Sequence, residues 1–421
     1  MSVSNIKTSN SPTNSTTDWW GTITDHAFIT TPFPTLHELL KEGPIHHDTY
    51  SDIYFILGHA EFQQIMKSPD MRRDTRLWKD GWNTEEYRAK DPVGFELLSG
   101  NQPQIINNDG ADHKRMRDVY TPAFRAQMMK NLSPMIEAEC GQLLNQLPVS
   151  EPVDFVKAVA GPLPLRVMCN LFDIPSTLDE EIGRWSAAII RLADILLTDA
   201  QKEEALDAQN NFKAYLKEEI AIRRHKDGNS LMDMAIKALD NGTMTEEETL
   251  INLMSMVLAG HETTVSLLGS GMYLLLKNPD QRQKLHADRS LMHKAIEEML
   301  RVEPSGTMIL RIAAKECEIG GTKIPEGAMV MGMISATNYD PRRYENPFVF
   351  DITRTPNPHQ TFGGGPHVCI GAPLSRLEAS IVFSSILDKF SKIEFAGKPE
   401  WRLDRLNARG LASLPIQVEA N

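Results

Sequence analysis

Residues 362–372 read FGGGPHVCIGA. Three consecutive glycines, a histidine, one cysteine and a fourth glycine stand within eleven positions. The glycines at 363, 364, 365 and 371 open backbone dihedrals closed to other residues and let bulk approach the main chain closely. Ala372-Pro373 starts a helix, because proline fits a first turn whose N–H has no partner to lose. Cys369 therefore stands just before a helix N-terminus, where free N–H groups are expected to lower a thiol pKa. Several readings compete for it. A lone cysteine is by default a buried, inert side chain. A phosphate loop would continue Gly-Lys-Ser/Thr, and this one does not. A dinucleotide loop needs G-x-G-x-x-G, and Val368 stands where the last glycine belongs. An iron–sulfur cluster needs several cysteines. A single axial thiolate to haem iron needs one, and a flat macrocycle can rest against glycine backbone.

Outward from the loop, the chain is mostly helical. Thr245 followed three residues later by Glu248 is a capping-box pattern. Apolar residues run from there to Leu276, and Asn278-Pro279 stops the helix. The pattern predicts a helix of about 30 residues, about 45 Å long. Further helices are predicted over 290–303 and from Ala372 to Phe390. The strand-like pieces are short: DIYFILG at 52–58, ECEIGGTKI at 316–324 and the C-terminal SLPIQVE. They read as β-hairpins beside a helical body, without regular βαβ alternation.

The remaining features bound the class. Of the 421 residues, 41% are hydrophobic and 24% charged, the balance of an ordinary globular protein. A net charge of −12 argues against nucleic acid as the main partner. Cys140, Cys169, Cys317 and Cys369 lie far apart, which suits neither a disulfide framework nor a zinc site and fits a reducing cytoplasm. Residues 1–17 are polar and rich in Ser, Thr and Asn, and read as a disordered tail before a single domain at 18–421. No apolar run reaches the ~18 residues of a membrane span. The stretch LINLMSMVLAG is broken by Asn252 and Ser255.

Phe362, Gly363, Gly365, His367, Cys369 and Gly371 fill every defined position of F-G-x-G-x-H-x-C-x-G. This is the haem-binding signature of the cytochrome P-450 superfamily, and the chain resembles its soluble bacterial form over nearly the whole length after the tail. The resemblance implies a mostly α fold with small β-hairpins and sheets. Haem b would lie between the long central helix and the helix after the cysteine loop, with Cys369 as the iron ligand.

Other motifs extend it. In AGHETT at 259–264, Glu262 and two threonines interrupt an apolar stripe. A buried carboxyl there costs several kcal/mol unless satisfied, whereas a solvated face would explain it blandly. Thr263 can bond back to the carbonyl of residue 259. The stretch resembles the family's oxygen-activation motif, which implies Glu262 as the acid, Thr263 as the hydroxyl beside O₂, and Ala259 and Gly260 against the cofactor, Gly260 leaving room for oxygen. Glu298 and Arg301 in EEMLR share a helix face, an arrangement often worth only ~0–1 kcal/mol at a surface. They match the family's E-x-x-R, with Arg354 of FDITR as the third member of a structural network. His113 and Arg117 lie at i and i+4, and with Arg311 and His367 match the family's haem-propionate residues. One departure stands out: TNYDP at 337–341 has Tyr339 where the family often has arginine.

The resemblance implies a monooxygenase that uses O₂ and two electrons to hydroxylate, or oxidatively O-demethylate, a small to medium organic substrate. By family position the pocket draws on Trp78, Trp82, Phe95, Ser255, Ser305, Met308, Ile309 and Leu411. The chain carries no NAD fingerprint and no ferredoxin cysteine set, so the expected electron source is a ferredoxin with a flavin NAD(P)H-dependent reductase. Lys114 and Arg376, with Arg72 and Arg73, are the expected docking cations. Two rivals are a peroxide-driven or non-hydroxylating haem-thiolate enzyme, which usually lacks the acid–threonine pair, and a non-enzymatic haem sensor or electron carrier.

Overall fold

The computed structural model describes residues 19–194, 197–224, 226 and 228–420; the expected tail, residues 1–17, lies outside them. In chain order, the helices that build the site are α1 (His59–Lys67), α2 (Pro92–Asn101), α3 (Gly110–Tyr120), α4 (Pro162–Phe172), α5 (Asp179–Ile189), α6 (Asp199–Arg223), α7 (Glu246–Lys277), α8 (Met292–Val302) and α9 (Ala372–Lys389). The sheet that frames it is built from β1 (Ile45–Asp48), β2 (Ile53–Ile56), β3 (Met71–Arg72), β4 (Met308–Ala313) and β5 (Met329–Met333).

The capping box forms as the sequence predicts. The Glu248 N–H donates to Thr245 Oγ1 at 3.1 Å, and the Thr245 N–H donates to Glu248 Oε2 at 2.9 Å. From there α7 runs 32 residues and is buried along most of its length. It crosses the main core, which also takes in α4, α8 and α9. Its close approach to α4 needs Gly260: a Cβ there would lie 2.3 Å from Met168 Sδ. The missing side chain thus serves helix packing, a physical reason that differs from the expected room for oxygen.

The strand at 52–58 is more than half of a hairpin. β2 pairs antiparallel with β1 and also parallel with β5, in the order β1-β2-β5-β4-β3. Its continuous apolar run follows from burial on both faces. Ile53 and Phe55 join an N-terminal cluster with Trp19 and Leu36, while Tyr54 and Ile56 join Phe62 and Ile65 on the other side. The 316–324 hairpin forms from Cys317–Ile319 and Thr322–Ile324. Among the described residues, no helix is long and apolar enough to cross a membrane.

Candidate active site

The cysteine loop closes on itself when the Cys369 N–H donates to the Phe362 carbonyl at 2.9 Å. Gly363 and Gly365 take φ of +66° and +63°, the left-handed region that disfavours side chains. At Gly365 a Cβ would also meet the Met66 carbonyl of α1 at 2.2 Å. Gly364 and Gly371 have ordinary dihedrals. Backbone N–H groups of Gly371 and Ala372 donate to the Cys369 sulfur. Even so, burial pushes the thiol pKa up, outweighing those bonds and the charges of Arg117 and Arg376. The helix N-terminus is present as expected, but desolvation wins. Cys369 is nevertheless exposed. Both facts hold for a thiol that is open to solvent on one side and surrounded by protein on the others.

A second exposed stretch lies on α7. Ala259 and Thr263, one turn apart, are exposed in the middle of a buried helix, and Ser255, Met256 and Gly260 are half-buried beside them. Thr263 Oγ1 donates to the Ala259 carbonyl at 2.6 Å, as the sequence predicts. Glu262 points into protein instead. Its Oε2 accepts from Arg402 Nη1 at 2.7 Å and Arg405 Nη1 at 2.9 Å. Burial raises the carboxyl pKa, but the two arginines beside it, with His261, bring it below the ordinary carboxylate range. The pair of arginines answers the sequence question of how this buried acid is satisfied.

Basic groups converge near the cysteine. His113 and His367 have ring centroids 4.2 Å apart. His367 bonds Asp109 Oδ1 at 3.2 Å, and Arg117 Nη2 donates to the Val368 carbonyl at 2.7 Å. His113 is buried with Nε2 unpartnered, and burial, then the charges of His367 and Arg117, push it down to about 4. Arg311 is 3% exposed; burial and the neighbouring Arg73 push it down to about 9. Among the described residues, neither Arg73, Arg117 nor Arg311 has a carboxylate oxygen within ion-pair distance; Asp109 is the acidic side chain that acts on Arg73 and Arg311. Asp118 acts on Arg117 from a distance, and Asp109 is shared between Arg73 and Arg311, so the cluster carries an excess of positive charge, which suits a ligand bearing carboxylates.

The loop is braced from behind. Glu298 and Arg301 are wholly buried. Arg301 Nε and Nη2 donate to the two Glu298 oxygens at 2.8 Å each, while its other N–H groups reach the carbonyls of Asn338, Pro347 and Val349. All five donors are therefore used. Arg354 Nε and Asn357 Nδ2 also donate to Glu298. The departure at Tyr339 has a place here: it is buried, lies 5.4 Å from the Arg301 guanidinium and donates its hydroxyl to the Val302 carbonyl. A second brace runs through Arg376, which stacks on Phe362 at 4.5 Å and forks onto Glu297, itself bonded to His359.

Residues 166–420 match the family model described as Cytochrome P450. The chain belongs to the cytochrome P450 family. It is 34% identical to cytochrome P450 107B1 of Saccharopolyspora erythraea over 88% of this chain and 90% of that one. It is 32% identical to the 6-deoxyerythronolide B hydroxylase of the same organism, over 92% and 96%. The structure of P450BioI, in complex with a hexadec-9Z-enoic acid ligated acyl carrier protein, superposes with a TM-score of 0.86 at 29% identity, covering 93% of this chain and 100% of that one. Relatives carry the name of P450 monooxygenases, and the chain is an oxidoreductase of that kind. Haem with thiolate ligation, which the P450 family implies, fits this site: an exposed thiol held by N–H donors, an orphaned imidazole and an excess of positive charge.

The P450 pocket expected from sequence is only partly brought together. Ser255 lies on the open stripe of α7, and Ser305 Oγ donates to the Thr263 carbonyl at 2.8 Å. Trp82 is buried, with Nε1 donating to Thr75 and its ring against Phe95. Trp78 and Met308 belong to the N-terminal cluster, Ile309 leans on the opposite one, and Leu411 is in the main core. Alternation along β4 separates Met308 from Ile309. Arg402, Arg405, Asp109 and Arg73 were not identified as parts of the site from sequence, because each acts through a partner distant in the chain. The expected docking cations also move. Arg376 is tied to Glu297, and Arg73 is half-buried and shares the Leu310 carbonyl with Arg311. Lys114 is exposed, paired with Asp118. Lys67 is exposed too, beside Gly363 to Gly365 on a cleft of about 190 Å³.

Proposed function

We propose that this P450 uses O₂ and two externally supplied electrons to hydroxylate, or oxidatively O-demethylate, a small to medium apolar molecule. The observation that carries it is the pairing of two open features in a packed interior: the Cys369 thiol and the Ala259–Thr263 stripe of α7. Haem held by a thiolate supplies reductive O₂ activation and transfer of one oxygen atom to substrate. Cys369 would hold it, with His113, Arg117, Arg311 and His367 on its propionates.

Thr263 then presents a hydroxyl to the cleft. By turning from the Ala259 carbonyl it can offer a proton there. Glu262, held ionised by Arg402 and Arg405, must leave that clamp to resupply it. An apolar substrate suits the relatives: the myxobacterial CYP267B1 structure holds myristic acid, and P450BioI an acyl chain. Electrons from a ferredoxin and its flavin reductase are part of the proposal, with Lys67 and Lys114 on the docking face.

The reduced, carbon monoxide-treated protein should show the strongly red-shifted Soret band of thiolate ligation. Cys369→Ser should abolish it, while Cys140→Ser, Cys169→Ser and Cys317→Ser keep it; a retained band in Cys369→Ser would end the assignment. Thr263→Ala should keep substrate-induced spectral shifts yet divert most reducing equivalents to peroxide, read as product formed per NAD(P)H consumed.

A further inference from the structure

We infer that Arg73 is a fifth cofactor-carboxylate residue, forming with Arg311 a two-guanidinium receptor for one haem propionate. The inference rests on the haem reading above and assigns a residue outside its four-residue propionate set.

The backbone sets the pair. β3 runs antiparallel to β4 with Met71 opposite Ala313 and Arg72 opposite Ile312. One further step of that register sets Arg73 opposite Arg311. Directly opposed residues of an antiparallel pair share a face, and like charges there are destabilising. Side-chain bonds confirm the closeness: Arg73 Nη1 and Arg311 Nη1 donate to the same Leu310 carbonyl, at 2.8 and 2.9 Å. The two nitrogens can be no further apart than those bonds laid end to end.

Neither guanidinium is spent. Among the described residues, Arg73 uses Nε on the Ile106 carbonyl and Nη1 on Leu310, leaving three of its five N–H donors. Arg311 has one further bond, to the weak acceptor Met66 Sδ at 3.4 Å. Asp109, the acidic side chain whose charge acts on both, accepts the backbone N–H groups of Arg73 and Asp74 and bonds His367, so its oxygens are engaged. A like-charged pair with Arg311 buried, Arg73 half-buried and donors to spare gains when an anion joins it. A carboxylate received by two guanidiniums meets that need, and the burial of Arg311 strengthens its share of the bond.

The test compares the haem-loaded parent with Arg73→Gln and Arg73→Lys, by the rate at which haem passes to excess apomyoglobin. Arg73→Gln should lose haem about tenfold faster, and Arg73→Lys at an intermediate rate, with the Soret band of thiolate ligation kept in both. The full-length chain reconstituted with haem dimethyl ester, which lacks both carboxylates, should lose its cofactor at the same rate in all three. Equal rates with native haem, or an equal tenfold gap with the ester, would overturn the inference. A free inorganic anion is the other source of this chemistry: a rise in Tm of the loaded parent in phosphate, absent in Arg73→Gln, would also overturn it. Failure of the parent to take up haem at all would instead sink the reading beneath it.

Discussion

Two groups of buried arginine make opposite use of the same side chain. Arg301 is wholly buried, forks onto a wholly buried Glu298 and has every N–H donor placed. Arg311 is nearly as buried, yet it meets a carbonyl, a thioether and a second guanidinium. The first group is complete without a ligand and is architecture. The second keeps donors to spare and is, on the inference above, a receptor for an anion. A buried cation therefore reports its role through what remains unmatched around it, more than through burial.

The sharpest way to break this comparison is to remove one partner from each side. Glu298→Ala strands Arg301 and should cost about 3–5 kcal/mol of folding stability, measured as a shift in urea midpoint with unchanged slope. Arg311→Gln removes a repelling charge. It should leave the stability of the haem-free chain equal or higher while speeding haem loss several-fold. If both variants lose stability alike, the distinction between architecture and receptor fails.

The Arg376–Glu297–His359 brace sharpens the architectural side through pH. Burial works against ionised Glu297, but the bonds from His359 and Arg376 win and bring its carboxyl to about 2, against an ordinary 4.5. A folded pKa below the unfolded one gives stability that is fully present above pH 4.5 and lost as pH falls toward 2. Glu297→Gln should therefore be less stable at pH 7 by about 1–3 kcal/mol, and the gap should close between pH 4.5 and 2. A gap that stays constant across that window would assign the effect to packing.

The smallest effect belongs to exposed charge, which is matched mainly by water. Lys67→Glu and Lys114→Glu should leave folding and haem retention unchanged and raise the apparent KM for a ferredoxin a few-fold at low salt. At high ionic strength the difference should vanish, since screening acts within ~10 Å at 0.1 M. Kinetics identical to the parent at both salt levels would place docking elsewhere.

Much of this was legible where a motif is local. Thr245 with Glu248, Thr263 with Ala259, and Glu298 with Arg301 lie within one turn, so helical spacing predicted each contact. The Cys369 loop was legible because its glycines and its cysteine are contiguous. What escaped depends on partners far along the chain. β2 meets β5 about 276 residues away, so a central strand looked like half a hairpin. Arg402 and Arg405 meet Glu262 across 140 and 143 positions. Arg73, read as a surface cation in MRRD, turns inward because of a strand pairing with residues 312 and 313. Short β-pieces carry too little periodicity to announce such pairings.

The segment 402–409 deserves a different vocabulary. Arg402 and Arg405 hold Glu262, and Asp194, just after α5, accepts backbone N–H groups of Leu406 and Asn407. Thr307 and Met308 donate to Asn407, and Arg409 to the Ser305 carbonyl. One short loop thus joins the acid of the central helix, the α5–α6 connection and the start of β4. For a lineage exploring new substrates this is a shared constraint. Substitutions here that reshape the space near Ser305 also disturb the arginines on Glu262, so, on the function proposed above, substrate range and proton supply would evolve as linked traits.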